Sequence, residues 1–255
     1  MDLQDVAALV TGAGSGLGAA TATALAERGA RVFGVDLSQA LDAIEPSGSA
    51  RDITYLAADV TDAGQVRAAV AQAAEAEAPL RILVNCAGIG PTARILGKAG
   101  PHNLELFAQV IRVNLVGTFT MLEMAAEKIA QTSADLNGQR GVIVNTASIA
   151  AFDGQVGQAA YASSKAGVVG LTLPAARDLA QYGIRVMTIA PGIVQTPMLM
   201  TVSEKFRAGL ADAVPFPKRL AEPNEYAKLV LSIIDNDYLN GETIRMDGAM
   251  RMPPR

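Results

Sequence analysis

Short apolar runs, separated by helical patterns, recur along the whole chain. Continuous apolar runs of this length are typical of strands that are buried on both faces of a parallel sheet. They predict strands at residues 6–11, 31–36, 53–58, 80–85, 141–147, 184–190 and 242–246.

The segments between these runs predict helices and two long loops. Helical patterns cover residues up to 28, a short piece within 38–50, a helix from residue 61, and 104–113, 115–129, 158–181 and a helix from 222. The glycine- and proline-rich stretch 89–103 indicates a loop, and residues 196–219 indicate a substrate flap. Alternating strands and helices predict a single domain over residues 1–255, an α/β Rossmann fold. We expect a doubly wound parallel sheet of about seven strands with helices on both faces.

Composition narrows the classes of protein that this chain can represent. Half of its residues are hydrophobic and 18% are charged, which favours a compact globular protein over disorder. A net charge of −4 argues against nucleic-acid binding. With one cysteine and one histidine, we expect no internal disulfide and no metal site. The chain has neither a secretory signal pattern nor an apolar stretch of transmembrane length, so we expect a soluble cytoplasmic protein.

A glycine-rich turn follows the first predicted strand and opens the first predicted helix. Its sequence runs from Thr11 through Gly12, Ser15, Gly16 and Leu17 to Gly18. Glycines there let the backbone approach a pyrophosphate, which the positive end of a helix attracts. Glycine also serves tight turns for purely steric reasons, but the position between strand and helix favours dinucleotide binding.

An acidic residue ends the second predicted strand and indicates which dinucleotide is bound. Asp36 can accept hydrogen bonds from an adenosine ribose and would repel a 2′-phosphate, so NAD is preferred over NADP. Its alternative role is that of a turn or cap residue. Further along, Asp59 and Val60 are expected beside the adenine, although Asp59 serves almost as well as a helix cap. Beside the adenosine ribose we expect the residues that follow Asn85, namely Cys86, Ala87 and Gly88.

The candidate chemistry lies after the fifth long strand. Ser148 follows that strand, and Tyr161 and Lys165 are four residues apart in the helical pattern that comes next. Residues with this spacing share a helix face, and an ammonium beside a phenol lowers the pKa of the phenol. Tyr161 is therefore a candidate proton carrier. The same pair alone would usually be a half-buried tyrosine beside a surface lysine.

The order and spacing of these motifs resemble the short-chain dehydrogenase/reductase family over nearly the whole chain. The resemblance implies that Tyr161 is the general base, that Lys165 also binds the nicotinamide ribose, and that Ser148 binds the substrate oxygen. It implies that Asn114 interrupts a helix and holds a water linked to Lys165, with a helix kink as the alternative. It also implies contacts with the nicotinamide from Pro191, Gly192, Val194 and Thr196.

Several segments resemble one subgroup, the type 2 3-hydroxyacyl-CoA dehydrogenases. They are residues 138–148, 151–161, 185–192, 214–217, 239–241 and 244–249. Cys86 departs from the asparagine of the wider family but fits this subgroup. The subgroup implies an acyl-CoA substrate, a homotetramer, and contact between Gln155 and the substrate, although an exposed loop amide is almost as good an interpretation of Gln155. Loop 89–103 and residues 198–213 match less well.

We therefore expect NAD-dependent oxidation of an (S)-3-hydroxyacyl-CoA to its 3-ketoacyl-CoA. Three alternatives remain at this stage: another alcohol or steroid dehydrogenase, a 3-oxoacyl-carrier-protein reductase, and a non-catalytic scaffold or nucleotide-sensing subunit. Asp36 argues against the NADPH-dependent reductase. The full set of Asn114, Ser148, Tyr161 and Lys165 argues against a scaffold.

Overall fold

A computed structural model describes residues 1–44, 53–98, 100–200 and 209–254. The strands are β1 (Ala7–Thr11), β2 (Arg31–Asp36), β3 (Ile53–Ala57), β4 (Leu80–Asn85), β5 (Leu96–Gly97), β6 (Gly100–Pro101), β7 (Gly141–Thr146), β8 (Ile184–Pro191) and β9 (Thr243–Met246). Seven of them form one sheet in the order β3-β2-β1-β4-β7-β8-β9, and each neighbouring pair is parallel. Strands β5 and β6 form a separate antiparallel hairpin.

Helices cover both faces of the sheet. They are α1 (Gly16–Glu27), α2 (Ser38–Leu41), α3 (Ala63–Ala74), α4 (Leu104–Ile111), α5 (Thr118–Ala130), α6 (Ala159–Ala180), α7 (Pro197–Met200) and α8 (Pro223–Asp235). A π-helix, Arg112–Gly117, joins α4 to α5, and a short 3₁₀ helix, Ile149–Ala151, follows β7. No described helix is long and apolar enough to cross a membrane.

Two hydrophobic cores lie on opposite faces of the sheet, because the strands bury side chains on both sides. One core packs α3, α5 and α6 against the strands, and the other packs α1 and α8. Local signals place the helix starts: Asp62 caps α3, Asn103 caps α4, and Glu222 forms a capping box with Glu225 ahead of α8. Each cap satisfies backbone N–H groups that the first helical turn leaves unpaired.

The sheet order changes direction between β1 and β4, and ligands of doubly wound folds bind at that point. The α/β fold and the number of strands are thus as predicted. The loop prediction for 89–103 was wrong in part, because that segment contains the β5–β6 hairpin. Helix α2 covers only part of the predicted 38–50 segment, of which residues 45–50 lie outside the described chain. Residues 201–208 of the predicted flap also lie outside it.

Candidate active site

The glycine turn fits an anionic ligand at the start of α1. Gly12 and Gly16 adopt φ angles of 68° and 54°, in the left-handed region that favours glycine. A Cβ atom on Gly18 would lie 2.1 Å from the carbonyl oxygen of Gly12, so only glycine fits there. Ser15 occupies the N-cap position and its hydroxyl makes no capping hydrogen bond, while Leu17 packs against the α1–α8 core. The backbone N–H groups at this helix end are therefore available to a pyrophosphate.

Asp36 lies beside the glycine turn at the end of β2. Its carboxylate accepts hydrogen bonds from the backbone N–H groups of Gly14, at 2.9 Å, and Leu37, at 2.8 Å. These two bonds fix the carboxylate over the cleft, and its remaining lone pairs are able to accept hydrogen bonds from a ribose. A 2′-phosphate at the same place would meet this negative charge.

The segment that follows β4 is attached to β1. The Thr11 hydroxyl accepts hydrogen bonds from the backbone N–H groups of Cys86 and Ala87, both at 3.1 Å. A Cβ atom on Gly12 would lie 2.9 Å from the Ala87 nitrogen, which shows how closely the two turns approach. The two strand ends therefore form one wall of the cofactor cleft. Burial raises the pKa of the Cys86 thiol, which favours its protonated form.

Asn114 is fully buried within the π-helix and holds the start of the next loop. Its side chain accepts a hydrogen bond from the Ile89 N–H at 2.8 Å and donates to the Ile89 carbonyl at 2.9 Å and to the Ser164 hydroxyl at 3.0 Å. The predicted interruption of the helix at Asn114 is therefore present as the π-helix. Ser164 in turn donates to the carbonyl of Tyr161 at 2.7 Å, so Asn114 is connected to helix α6, which carries Tyr161 and Lys165.

Lys165 reaches from α6 to the end of β7. Its Nζ donates a hydrogen bond to the carbonyl oxygen of Thr146 at 2.8 Å and lies 5.9 Å from the centroid of the Tyr161 ring. A Cβ atom on Gly88 would lie 3.1 Å from Asn114 Oδ1 and 3.5 Å from Lys165 Nζ, so these groups converge. Burial lowers the pKa of Lys165 to about 8, and Cys86 acts in the opposite direction. Lys165 is therefore still mainly an ammonium at pH 7.

Ser148 and Tyr161 form the reacting end of the site. The Ser148 hydroxyl accepts a hydrogen bond from the Ala150 N–H at 3.1 Å, which fixes it at the start of the 3₁₀ helix. Burial raises the pKa of the Tyr161 phenol, and a hydrogen bond with Ser148 acts in the opposite direction. The net shift of the Tyr161 pKa is thus opposite to the one expected from the neighbouring Lys165, because desolvation of the buried phenol is its largest cause.

The run from Pro191 to Thr196 leaves β8 and crosses the glycine turn. Pro191 and Val194 are buried, and the N–H of Gly192 donates to the Met246 carbonyl at 2.9 Å. A Cβ atom on Gly16 would lie 3.2 Å from the methyl group of Thr196. The run therefore lies against the glycine turn at the start of α1.

Three predicted contacts have other partners in the structure. Oδ1 of Asp59 accepts hydrogen bonds from the N–H and the hydroxyl of Thr61, both at 2.8 Å, and the cap of α3 is Asp62 rather than Asp59. The Val60 side chain is buried in the core, so only its backbone can face the cleft. Gln155 donates from Nε2 to the carbonyl of Pro253 at 2.9 Å, so this donor is bonded to the chain that follows β9.

Thr11, Thr146, Ser164 and Ile89 support the site but were not among the predicted residues. Thr146, Ser164 and Ile89 bind the side chains of Lys165 or Asn114 through a carbonyl, a hydroxyl or an N–H group, whereas the Thr11 hydroxyl binds backbone N–H groups. The sequence signal for Thr11 was its place at the start of the glycine turn, whereas the contacts of the other three depend on segments that are distant in the chain.

A parallel sheet with a glycine turn at its switch point, beside a serine, a tyrosine and a buried lysine, defines an oxidoreductase of the Rossmann class. Residues 6–207 match the family model described as short chain dehydrogenase. The chain belongs to the short chain dehydrogenase family, whose dehydrogenases use nicotinamide cofactors.

Relatives of known name agree with this membership. A Bos taurus protein named 3-hydroxyacyl-CoA dehydrogenase type-2 is 50% identical over 99% of this chain and 97% of its own length. A Drosophila melanogaster protein of the same name is 48% identical over 99% of this chain and all of its own. The crystal structure of a 3-hydroxyacyl-CoA dehydrogenase type-2 from Mycobacterium avium matches with a TM-score of 0.91 and 39% identity, covering 98% of both chains. A more distant relative, from Canis lupus familiaris, is named (3R)-3-hydroxyacyl-CoA dehydrogenase and is 35% identical over 98% of both chains.

Proposed function

We propose that this protein oxidises (S)-3-hydroxyacyl-CoA to 3-ketoacyl-CoA with NAD. The observation that carries the proposal is the convergence of Ser148, Tyr161 and Lys165 at the switch point of the sheet, in a chain half identical to a 3-hydroxyacyl-CoA dehydrogenase. The acyl-CoA substrate class is supported by the names of these full-length relatives.

Different groups of residues along the cleft would bind the pyrophosphate, the adenosine half and the nicotinamide half of NAD. The Gly12–Gly18 turn and the N-terminus of α1 would bind the pyrophosphate, because no side-chain cap occupies the N–H groups of the first turn of α1 and the glycines leave room for a close approach. Asp36 would accept the adenosine ribose hydroxyls. The adenosine half would also contact the backbone of Asp59 and Val60 and the turn at Cys86, Ala87 and Gly88. Lys165, Tyr161 and the run Pro191, Gly192, Val194 and Thr196 would contact the nicotinamide half.

The chain's own groups would move the proton. Tyr161 would take the proton of the substrate hydroxyl in oxidation and return it in reduction. Ser148 would donate a hydrogen bond to the same oxygen and stabilise the charge that develops on it. The Lys165 ammonium would favour the phenolate form of Tyr161 against the cost of burial. When bound, the nicotinamide supplies the chemistry of hydride transfer.

Asn114 would extend this proton path. It fixes both backbone groups of Ile89, and the Ile89 carbonyl keeps a lone pair that could bind a water near Lys165. Such a water would carry the proton from Tyr161 through Lys165 to solvent.

A panel of substrates tests this function. NADH formation is measured with (S)- and (R)-3-hydroxyacyl-CoAs of short, medium and long chain, with NADP, a hydroxysteroid and a simple secondary alcohol as comparisons. We expect turnover with the (S)-acyl-CoAs and NAD, and its loss in Ser148→Ala. Preference for the (R)-enantiomers would overturn the stereochemical assignment, and no turnover on any acyl-CoA would overturn the substrate class.

We also propose a homotetramer. The α4–α5 region and α6 expose apolar side chains, among them Val116, Phe119 and Leu173, each more than two-fifths exposed. Such faces are typical of subunit contacts. Light scattering on the purified protein measures the assembly, and a monomer would contradict the proposal.

A further inference from the structure

The segment that follows β9 packs against the loop between Ser148 and Tyr161. The Val156 N–H donates a hydrogen bond to the Pro254 carbonyl at 3.0 Å, and the Gln155 side chain donates to the Pro253 carbonyl at 2.9 Å. We call Asp247–Pro254 the C-terminal segment and Phe152–Gln158 the substrate loop. The two hydrogen bonds join parts of the chain that are about a hundred residues apart.

Arg245 makes a second connection between these two segments. Its guanidinium forms a bidentate ion pair with Asp153 of the substrate loop, with contacts of 2.5 and 3.3 Å. Its Nε donates to Asp247 at 2.7 Å, and its Nη2 donates to the Met250 carbonyl at 3.0 Å. The side chains of Arg245 and Asp153 are only 21% and 16% exposed, so solvent screens this pair less than a surface salt bridge. Arg245 also lies 5.1 Å from the centroid of the Phe152 ring.

Apolar packing makes the third connection. Met250 is buried in one cluster with Ile149 and Val214, against which Ile193 and Met252 also pack. Ile149 is adjacent to Ser148, and Ile193 belongs to the run that lies against the glycine turn. The C-terminal segment therefore contacts the parts of the chain that lie next to both halves of the site.

The opposite side of the substrate loop is attached to a different segment. The Ala93 N–H donates to the Gly157 carbonyl at 2.8 Å, ahead of the β5–β6 hairpin. Ser148 itself depends on neither attachment, because it directly follows β7 and is held by Ala150. Release of the C-terminal segment would thus move the wall of the site and leave the reacting serine in place.

We propose that the C-terminal segment, through Arg245 and Pro253, positions the substrate loop as the wall that binds the acyl part of the substrate. The inference rests on the proposed oxidation of 3-hydroxyacyl-CoA. Arg245 and the segment are positioning elements, because they act through Asp153, Gln155 and Val156. Their loss should weaken substrate binding and leave the chemical step and NAD binding nearly unchanged.

Two variants test this inference, since they break different connections. A stop codon at Pro253 removes the acceptors of Gln155 and Val156 but keeps Met252 and Arg245, while Arg245→Lys keeps the charge but loses the bidentate geometry. The control is Arg28→Lys. It changes another bidentate ion pair, with Asp235 at 3.3 and 3.2 Å, which joins the C-terminal ends of α1 and α8 and does not contact the substrate loop. KM and kcat are measured with acyl-CoAs of several lengths, together with NADH affinity and hydrogen exchange of the substrate loop.

We expect KM for acyl-CoA to rise about tenfold in both variants, because a tenfold loss of affinity corresponds to the free energy of about one good hydrogen bond. Under this proposal kcat and NADH affinity stay within about twofold of wild type, the amide of Val156 exchanges faster in the truncated variant, and the control behaves as wild type. Unchanged KM in the truncated protein would overturn the inference, as would an equal loss of NADH affinity. A wild-type protein inactive on all acyl-CoAs would instead count against the proposed function. In that case acyl-CoA affinity is measured by calorimetry instead, and equal affinity in the wild-type and truncated proteins would overturn the inference.

Discussion

Nζ of Lys165 donates a hydrogen bond to the carbonyl oxygen of Thr146 at 2.8 Å, across the gap between α6 and the end of β7. The hydroxyl of Thr146 hydrogen-bonds the Tyr226 phenol at 2.7 Å, so a helix on the other face of the sheet fixes the same strand end. Lys165 is only 5% exposed, and its position thus depends on both faces of the sheet.

Replacement of Lys165 by methionine should change how stability depends on pH. The pKa of Lys165 is about 8 in the folded protein and 10.5 ordinarily, so the unfolded chain binds more protons between these values. Burial of the ammonium therefore costs most below pH 8, and this cost disappears as the pH rises to 10.5. Relative to wild type, Lys165→Met should gain up to about 3 kcal/mol at pH 7 and little at pH 10.5. Urea unfolding of both proteins across this range measures the difference, and a constant gap would contradict the prediction.

Removal of the Tyr161 hydroxyl should abolish the proton transfer. We expect Tyr161→Phe to lower kcat about 10²–10⁴-fold, the usual contribution of a positioned acid or base. NADH affinity, measured by fluorescence, should remain near that of wild type. Tyr182→Phe is the control, since Tyr182 is 45% exposed just beyond the end of α6. A Tyr161→Phe enzyme that keeps most of its activity would refute the assigned role.

Neutralisation of Asp36 should relax the preference for NAD. In Asp36→Asn the charge that opposes a 2′-phosphate is gone, and one of the hydrogen bonds from Gly14 and Leu37 is retained. We expect kcat/KM with NADP to rise about 10-fold or more, since a single close charge is worth at least about 1.4 kcal/mol. Asp42→Asn, at the exposed end of α2, should leave kcat/KM unchanged with NADP and with NAD. Equal discrimination in the two variants would show that Asp36 does not select the cofactor.

Truncation of Asn114 should weaken both the fold and turnover. Asn114→Ala leaves the N–H and carbonyl of Ile89 without their partner in a buried setting, at a cost of about 3 kcal/mol. It also releases the loop that borders Lys165, so kcat should fall. Denaturant unfolding and steady-state kinetics measure the two effects, with exposed Asn137→Ala as the control. Wild-type stability in Asn114→Ala would contradict the structural role of this amide.

The sequence by itself determined the sheet, the glycine turn and the catalytic candidates, because each depends on local patterns. Apolar runs specify buried strands, the glycines between the first strand and the first helix specify a tight turn, and the spacing of Tyr161 and Lys165 sets a shared helix face. The tertiary structure alone decided the rest. Burial raised the pKa of Tyr161, although the adjacent lysine predicted the opposite, because desolvation depends on the side chains that surround a group rather than on its neighbours in sequence. The contact of Gln155 with Pro253 likewise joins residues whose approach only the folded sheet brings about.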